Sequence, residues 1–277
     1  MSTPTVPLSS VVALLEAEAP LALAEPWDNV GMILHPGGDP EVRRALLAID
    51  LTPSVAEEAE AGGFGLVVAY HPPLFAPVRR LAGAGPVERA VIACARAGIA
   101  IWSPHTALDA VPGGTSDWLA NMVGEGEMTV LHPRPDRPEA GMGRIVRLAE
   151  EAAFGALATR IAAELGVSSV EVAGRPDTAW VRTVAVCPGA GAEVVADSGA
   201  DAVLTGEMKH HDLLALAESG VGVILAGHTE TERGFLPVWR DRLERTGGLP
   251  VEWRVSTRDR GPGRRTVLGA VSDPGQV

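Results

Sequence analysis

Short apolar runs alternate with amphipathic segments along most of this chain, and proline or glycine separates them. Apolar runs within residues 43–50, 64–71 and 99–105 predict buried strands. Between them, residues 54–63 and 86–98 predict helices, each of which ends in glycine. This strand, helix, strand, helix, strand order is typical of a parallel sheet with helices on both faces.

The alternation stops between residues 126 and 145 and then resumes. HPRPDRPEAGMGR, residues 132–144, is rich in proline, glycine and charge, which predicts a boundary between lobes. Further strands, again separated by helices, are predicted within residues 181–191, 200–208 and 220–228.

The pattern therefore predicts an N-terminal α/β lobe over residues 1–125, a linker over 126–145 and a C-terminal α/β lobe over 146–277. The expected fold is two similar α/β lobes with mainly parallel sheets flanked by helices. A metal site is expected between the lobes, at the carboxyl ends of the strands.

Histidines follow the apolar runs in four short motifs that also contain carboxylates or tyrosine. The motifs are VVAYHPPLF, IWSPHTALD, TGEMKHHD and ILAGHTETE, with His71, His105, His210, His211 and His228. Imidazole and carboxylate groups are the donors that bind divalent metal ions. In α/β folds, ligands bind at the carboxyl ends of strands. The clustering predicts a metal site.

The first two motifs also have ordinary structural interpretations. His71 can cap a turn, with Pro72 and Pro73 fixing the backbone that presents it. His105 and Asp109 are four residues apart and share a face if a helical turn begins there. Alternatively, Asp109 caps a helix and His105 is a surface residue.

The last two motifs also combine histidine with carboxylates. His228 ends an apolar run, and Glu232 follows at i+4 in the first turn of a predicted helix, where a carboxylate is electrostatically favoured. In TGEMKHHD, Glu207 or His211 can face the same opening as this pair. The alternative there is a polar first turn with Asp212 as cap.

CPGAG places Gly189 and Gly191 after a predicted strand, as a phosphate-binding turn would. Val194 stands where a dinucleotide fingerprint has a small residue, which argues against dinucleotide binding. A glycine turn that lines a pocket remains the alternative.

Composition narrows the class of protein. Apolar residues make up 46% of the 277 residues, so a folded core is expected. A net charge of −12 makes binding to nucleic acid or an anionic membrane unfavourable. No apolar run reaches the roughly 18 residues of a membrane helix, and no signal peptide is recognisable. The two cysteines, Cys94 and Cys187, form no spaced pair, which favours the reducing cytoplasm.

Taken in order, several motifs resemble those of the dinuclear-metal-centre hexameric proteins. This family is also called NGG-interacting-factor-three-like, and some members are known as GTP cyclohydrolase I type 2 homologues. The matching segments are WDNVGMIL, YHPPLF, SPHTALDA, GMGR, LTGEMKHHD and GHTETERGF, and they span nearly the whole chain. YHPP, SPHT and TERGF are closer to the eukaryotic-type branch.

The resemblance implies that His71, Asp109, His228 and Glu232 bind two divalent cations, with Glu232 as the bridge. The common bacterial motif has two adjacent histidines where this chain has Tyr70 and His71. Three outcomes remain open: Tyr70 binds as a phenolate, His105 substitutes, or the site holds a single cation. The resemblance also implies a toroidal homohexamer and the absence of the family's full inserted middle domain.

Two functions follow as hypotheses. The first is a metal-dependent hydrolase, similar to GTP cyclohydrolase I type 2, that acts on an anionic nucleotide or phosphate-bearing small molecule. In it, His105, His210 and His211 orient ligands or move protons. The second is a non-enzymatic metal-binding ring with a chaperone, storage or regulatory role. Zinc, iron, manganese and cobalt suit the donor set equally.

Overall fold

The computed structural model describes residues 4–246 and 248–263, apart from the Thr246 side chain. The strands within those ranges are β1 (Val6–Pro7), β2 (Gly31–Leu34), β3 (Glu41–Val42), β4 (Arg44–Ala48), β5 (Leu66–Ala69), β6 (Ala100–Ser103), β7 (Gly126–Arg134), β8 (Arg137–Ala153), β9 (Glu171–Ala173), β10 (Trp180–Cys187), β11 (Ala202–Thr205), β12 (Gly222–Leu225) and β13 (Glu252–Val255). The helices are α1 (Leu8–Glu18), α2 (Pro53–Ala61), α3 (Pro86–Ala97), α4 (Thr106–Ala110), α5 (Thr115–Asn121), α6 (Phe154–Leu165), α7 (Ala192–Val195), α8 (His210–Glu218), α9 (Glu230–Arg233) and α10 (Phe235–Thr246).

Local sequence explains where these elements begin and end. The Thr52 hydroxyl accepts a hydrogen bond from the Val55 amide (3.3 Å), and Pro53 occupies the first turn of α2, where its missing N–H costs nothing. Helix α3 ends at Gly98, whose φ of +69° is the left-handed conformation that glycine adopts readily.

The first sheet has the strand order β13-β4-β5-β6-β2. Its pairs are parallel except β6 with β2. Side chains alternate between the two faces of β4: Ala45 and Leu47 pack with α1 and α10, whereas Leu46 and Ala48 pack with α2 and α3. Helices therefore cover both faces, as predicted.

The second sheet has the order β7-β8-β10-β11-β12-β9. Parallel pairing is confined to its centre, where β11 lies between β10 and β12; the other pairs are antiparallel. The predicted fold class of two α/β lobes is confirmed, and the mainly parallel character holds for the first sheet. The second sheet is mixed because β7 and β8 are joined by a hairpin, which requires antiparallel strands.

The structure differs from the predicted division of the chain in its middle. Residues 126–145, predicted as a linker, form β7 and the start of β8 in the second sheet. The glycine content that suggested a loop serves close strand pairing instead. A Cβ at Gly141 would lie 2.1 Å from the His132 carbonyl oxygen, so only glycine fits there.

The predicted C-terminal lobe also differs, because its end joins the first sheet. Strand β13 pairs in parallel with β4, and Trp239 and Leu243 of α10 lie in the core of the N-terminal lobe. The local pattern gave no sign of this crossover, since it depends on a contact between segments about 200 residues apart. Residues 264–277 of that predicted lobe lie outside the described residues.

The described helices are short. The longest of them, α3, α6 and α10, have 12 residues each, and none in the described part of the chain is long and apolar enough to cross a membrane.

Candidate metal centre

Side chains from the carboxyl ends of strands in both sheets meet at one point. His71 follows β5, whereas His228 and Glu232 follow β12. The two histidine Nε2 atoms lie 3.5 Å apart, and they lie 3.5 Å (His71) and 3.3 Å (His228) from the two carboxylate oxygens of Glu232. One ligand atom from each residue falls within 4.8 Å of the others, which is close enough to share one cation.

A carboxylate holds the outer nitrogen of each of these histidines. His71 Nδ1 lies 2.9 Å from Asp50, at the end of β4, and His228 Nδ1 lies 3.0 Å from Glu207, after β11. This arrangement fixes each ring so that Nε2 faces Glu232. Carboxylates bonded to the outer nitrogen are typical of histidines that bind metal ions.

Sequence reasoning did not assign Asp50 to the site, although it was recognised as the end of a strand. The available signal was its position at the carboxyl end of β4, next to the strand that carries His71. Glu207 was considered as a group facing the same opening, and the structure brings it to His228.

Glu232 is a buried carboxylate whose hydrogen bonding is incomplete, although His71 Nε2 is an ionic neighbour of its Oε2 atom. Its residue is 3% exposed, and its Oε2 atom has no hydrogen-bond partner in the described structure. A buried acceptor without a partner is costly, so a cation there would satisfy it. Gly189 keeps this space open, because a Cβ on it would lie 2.3 Å from Glu232 Oε1. The residues present therefore fit a divalent cation.

The three donors shift one another's pKa values because they lie so close together. Burial lowers the pKa of His71, but the hydrogen bond with Asp50 and the adjacent Glu232 carboxylate outweigh it and raise the value to about 10. The hydrogen bond with Glu232 also raises the pKa of His228, to about 9. Burial raises the pKa of Glu232, yet the two histidines beside it bring it below the usual value. A cation would replace two imidazole protons and leave the net charge unchanged.

Tyr70 and Asp109, both predicted as metal ligands, are paired with each other. The Tyr70 hydroxyl donates a hydrogen bond to Asp109 Oδ1, and both residues are buried. Burial and the charge of Asp109 raise the pKa of Tyr70 well above 10, which disfavours a phenolate ligand. Burial also raises the pKa of Asp109, to about 6, despite its bond with Tyr70. Asp109 lines the same cavity as the donors, whereas Tyr70 does not line this cavity.

His105 lies next to His71, with ring centroids 5.4 Å apart, and it also lines the cavity. Its φ of +34° is unusual for a residue other than glycine and marks local backbone strain. Asp28 of the WDNVG motif holds it: Oδ1 of Asp28 lies 2.7 Å from His105 Nδ1, and Oδ2 accepts hydrogen bonds from the Thr106 amide and hydroxyl. Sequence reasoning missed Asp28, since it is 77 residues from His105.

His210 and His211, predicted as catalytic residues, are not brought to this cavity. They begin α8, are exposed, and pair with each other at a ring distance of 5.4 Å. The phase of α8 turns both rings to the surface. Among the carboxylates of TGEMKHHD, Glu207 contacts a metal donor, His228.

The donors lie in a cavity of about 430 Å³ between the two lobes. Its polar floor contains His71, His105, Asp109, His228 and Glu232. Its remaining walls are mainly apolar and aromatic, and they are formed by Trp27, Pro72, Phe75, Met142, Cys187, Pro188, Ala190, Gly191 and Val194, with Thr106. The predicted glycine turn therefore lines the cavity.

Comparison with known proteins agrees with this architecture. The sequence profile of the family described as Duf34/NIF3 (NGG1p interacting factor 3) matches residues 6–262. NIF3-like protein 1 of Drosophila melanogaster is 37% identical over 232 residues, covering 83% of this chain and 79% of the relative. A protein of Clostridium perfringens named GTP cyclohydrolase 1 type 2 homolog is 29% identical, covering 92% of this chain and 98% of the relative.

The fold is also similar to a solved structure, a Bacillus cereus protein related to NIF3. The TM-score is 0.83 at 20% identity, covering 96% of this chain and 100% of that one. The family predicted from the motifs is thus confirmed: the chain belongs to the Duf34/NIF3 family.

Proposed function

We propose that this protein is a metal-dependent hydrolase that acts on a nucleotide or another phosphate-bearing small molecule. The observation that carries the proposal is the meeting of His71, His228 and Glu232, with one Glu232 oxygen lacking a hydrogen bond and Gly189 leaving room beside it. The cavity is of the size of small-molecule sites, which is roughly 300–1,000 Å³.

His71, His228 and Glu232 would hold the cation, and Asp50 and Glu207 would fix the two imidazoles. A bound divalent cation supplies Lewis-acid chemistry: it makes water a stronger nucleophile and polarises a substrate oxygen. Asp28 fixes His105 through Nδ1, so Nε2 of His105 is left to hold or transfer a proton within the cavity.

The name of the C. perfringens relative supports a nucleotide substrate as the first class to test. An open coordination position supports an anionic ligand, because three protein donors would leave a divalent cation able to bind a substrate oxygen from the cavity. Tyr70 is bonded to Asp109, which supports one cation per subunit over two.

We also propose that the protein acts as a homohexamer in the cytoplasm. The family resemblance supports the ring, and the two free buried cysteines, Cys94 and Cys187, suit a reducing compartment. Light scattering of the purified protein tests the ring: a mass of six subunits is expected, and a monomer would contradict it.

Elemental analysis of anaerobically purified protein tests the metal. About one zinc, iron, manganese or cobalt ion per subunit is expected in the wild type, and less than a tenth of that in a His228→Ala, Glu232→Ala double variant. A His210→Ala, His211→Ala double variant is the matched control, since these rings lie outside the cavity, and it should keep its metal. Full retention of metal without His228 and Glu232 would contradict the proposal.

Turnover is tested by incubating the metal-loaded wild type with a panel of nucleotides and phosphoesters. Metal-dependent product formation that is lost in the His228→Ala, Glu232→Ala variant supports a hydrolase. Stoichiometric metal without turnover of any compound would instead favour the non-enzymatic metal-binding assembly.

A further inference from the structure

Two exposed aromatic side chains stand at the mouth of the metal cavity. Trp27 is 60% exposed and Phe75 is 52% exposed, yet both line the cavity. Their ring centroids are 6.1 Å apart, and their planes are inclined by 57°. The two rings therefore form an open wedge. Large aromatic surface left in water is unfavourable, and it commonly marks a binding site.

The wedge is held in place before any ligand binds. Asp28, next to Trp27, is hydrogen-bonded to His105 and Thr106, which fixes the loop that carries the indole. The Asn29 side chain donates a hydrogen bond to the Leu74 carbonyl oxygen (2.6 Å) and so joins this loop to the one that carries Phe75. Two loops distant in sequence are thus fixed relative to each other.

The wedge is continuous with the candidate metal donors. The His105 ring lies 6.1 Å from Trp27, 6.3 Å from Phe75 and 5.4 Å from His71, measured between centroids. When one part of a ligand contacts the wedge, the adjoining part therefore lies over the rings of His105 and His71. One end of the site is apolar and aromatic, and the other end is ionic.

We infer that Trp27 and Phe75 bind the planar aromatic ring of a ligand whose anionic group is directed to the donors at the cavity floor. The inclination of the rings lets a planar heterocycle stack on one while it meets the edge of the other. The inference that an anionic group is directed to the donors rests on the proposed function. The ring-binding role of the wedge is independent of it. The pair would determine specificity by favouring ring-bearing phosphates over simple ones.

A second copy of this chain is the competing occupant. A groove of about 510 Å³ with a mixed polar and apolar lining also borders the wedge, and the exposed Val78 and Leu81 help to line it. A small ligand is the better fit, because the two rings line the metal cavity itself and a second chain there would close its mouth.

Binding is measured by calorimetry on the intact, Zn²⁺-loaded chain with three probes: guanosine 5′-monophosphate, guanosine and ribose 5-phosphate. The variants are Trp27→Ala, Trp27→Phe and Phe75→Ala. Trp180→Ala is the matched control, because Trp180 is 64% exposed and does not line the cavity. Metal content and molecular mass are recorded for each protein.

Trp27→Ala is expected to weaken binding of the nucleotide by roughly 5- to 150-fold, the range for loss of one base stacked on an aromatic side chain. Phe75→Ala should weaken it as well, and Trp27→Phe should restore part of the loss. Ribose 5-phosphate affinity, metal content and the Trp180→Ala variant should be unchanged.

Nucleotide binding that is unaffected by both truncations would overturn the inference, as would failure of the wild type to bind either ring-bearing probe. A change in molecular mass in Trp27→Ala would assign the wedge to an interface between copies and also overturn it. If guanosine binds through the wedge but ribose 5-phosphate does not bind, the wedge stands and the phosphate-directed part of the proposed function fails.

Discussion

Single residues decide whether the centre of this cavity can accept a cation. Glu232 is buried with one oxygen that lacks a hydrogen bond, and the space beside it exists because residue 189 is glycine. His71 and His228 are oriented by Asp50, which lies outside the four predicted metal motifs, and by Glu207 of TGEMKHHD. The donors alone therefore do not define the site, because their partners fix which nitrogen faces the centre.

Replacing Gly189 with alanine is expected to abolish metal binding while the protein remains folded. The new Cβ would lie 2.3 Å from Glu232 Oε1 and 3.3 Å from His228 Nε2, so both side chains must move. Metal content measured by elemental analysis checks this. Gly199→Ala is the control: Gly199 has a similar φ, +68° against +60°, but no atom lies within 4 Å of the position that its Cβ would take.

Both substitutions place alanine in a left-handed conformation, which costs about 1–2 kcal/mol of stability. Chemical denaturation should therefore show a loss of this size for Gly199→Ala and at least as large a loss for Gly189→Ala, and only Gly189→Ala should lose metal. Equal metal content in the two variants would mean that Gly189 does not shape the site.

At the scale of elements, carboxylate side chains accept hydrogen bonds from backbone amides near the ends of strands. They thereby connect segments that are distant in sequence. Asp259, just after β13, accepts a hydrogen bond from the Ile49 amide (2.6 Å) and forms an ion pair with Arg233 of α9. This contact ties the segment after β4, which carries Asp50, to the helix that carries Glu232. The start of the C-terminal tail thereby supports both sides of the metal centre.

Asp201 has the same kind of role at the starts of β10 and β11. It accepts hydrogen bonds from the Arg182 amide (3.0 Å) and from the Thr183 amide (2.9 Å) and hydroxyl (3.0 Å). Burial raises the pKa of Asp201, but these hydrogen bonds outweigh it and lower the pKa below its usual value. The stabilisation is thus present above the unfolded-state pKa of about 3.9 and is lost as the pH falls through the lower native value.

Asp201→Asn is therefore expected to be less stable than the wild type at pH 7 by about 1 kcal/mol. The difference should shrink as the pH falls below about 4, because the wild-type carboxylate is then protonated as well. Urea unfolding at several pH values measures it. Asp197→Asn, at an exposed position nearby in sequence, should behave as the wild type; a constant difference for Asp201→Asn at all pH values would contradict the electrostatic explanation.

At the scale of the whole molecule, the N-terminal lobe also contains the last elements of the described chain, which the sequence pattern did not predict. The N-terminal sheet is completed by β13, and its core includes Phe235, Trp239 and Trp253 from the last part of the chain. Both sheets direct the carboxyl ends of their parallel strands at one cavity. The metal donors can meet only when both lobes are folded.

Trp239→Ala is expected to destabilise the N-terminal lobe, although Trp239 lies in the predicted C-terminal lobe. Its side chain is fully buried, and truncation of a buried tryptophan costs about 3–5 kcal/mol. Amide hydrogen exchange of β4 and β5, together with urea unfolding, measures the loss. Trp180→Ala, at an exposed position, should change stability by no more than about 0.5 kcal/mol. Unchanged exchange in β4 and β5 would mean that Trp239 of α10 does not support the N-terminal sheet.

The sequence by itself determined the class of fold, the family and the types of donor. Apolar runs, glycine stops and prolines act over a few residues, so strands, helices and the histidines that follow them can be predicted from local pattern. The family motifs are equally local, which is why YHPP, SPHT and TERGF were recognisable without a structure.

Only the tertiary structure decided which of these groups meet. His71 and His228 come together across 157 residues, while His210 and His211, four residues from Glu207 at most, turn to the surface. The hairpin in residues 126–145 and the return of β13 to the first sheet also depend on contacts between distant segments. Such contacts follow from how whole elements pack against one another. This packing produces no periodic pattern in the sequence of the residues involved, so local pattern does not predict it.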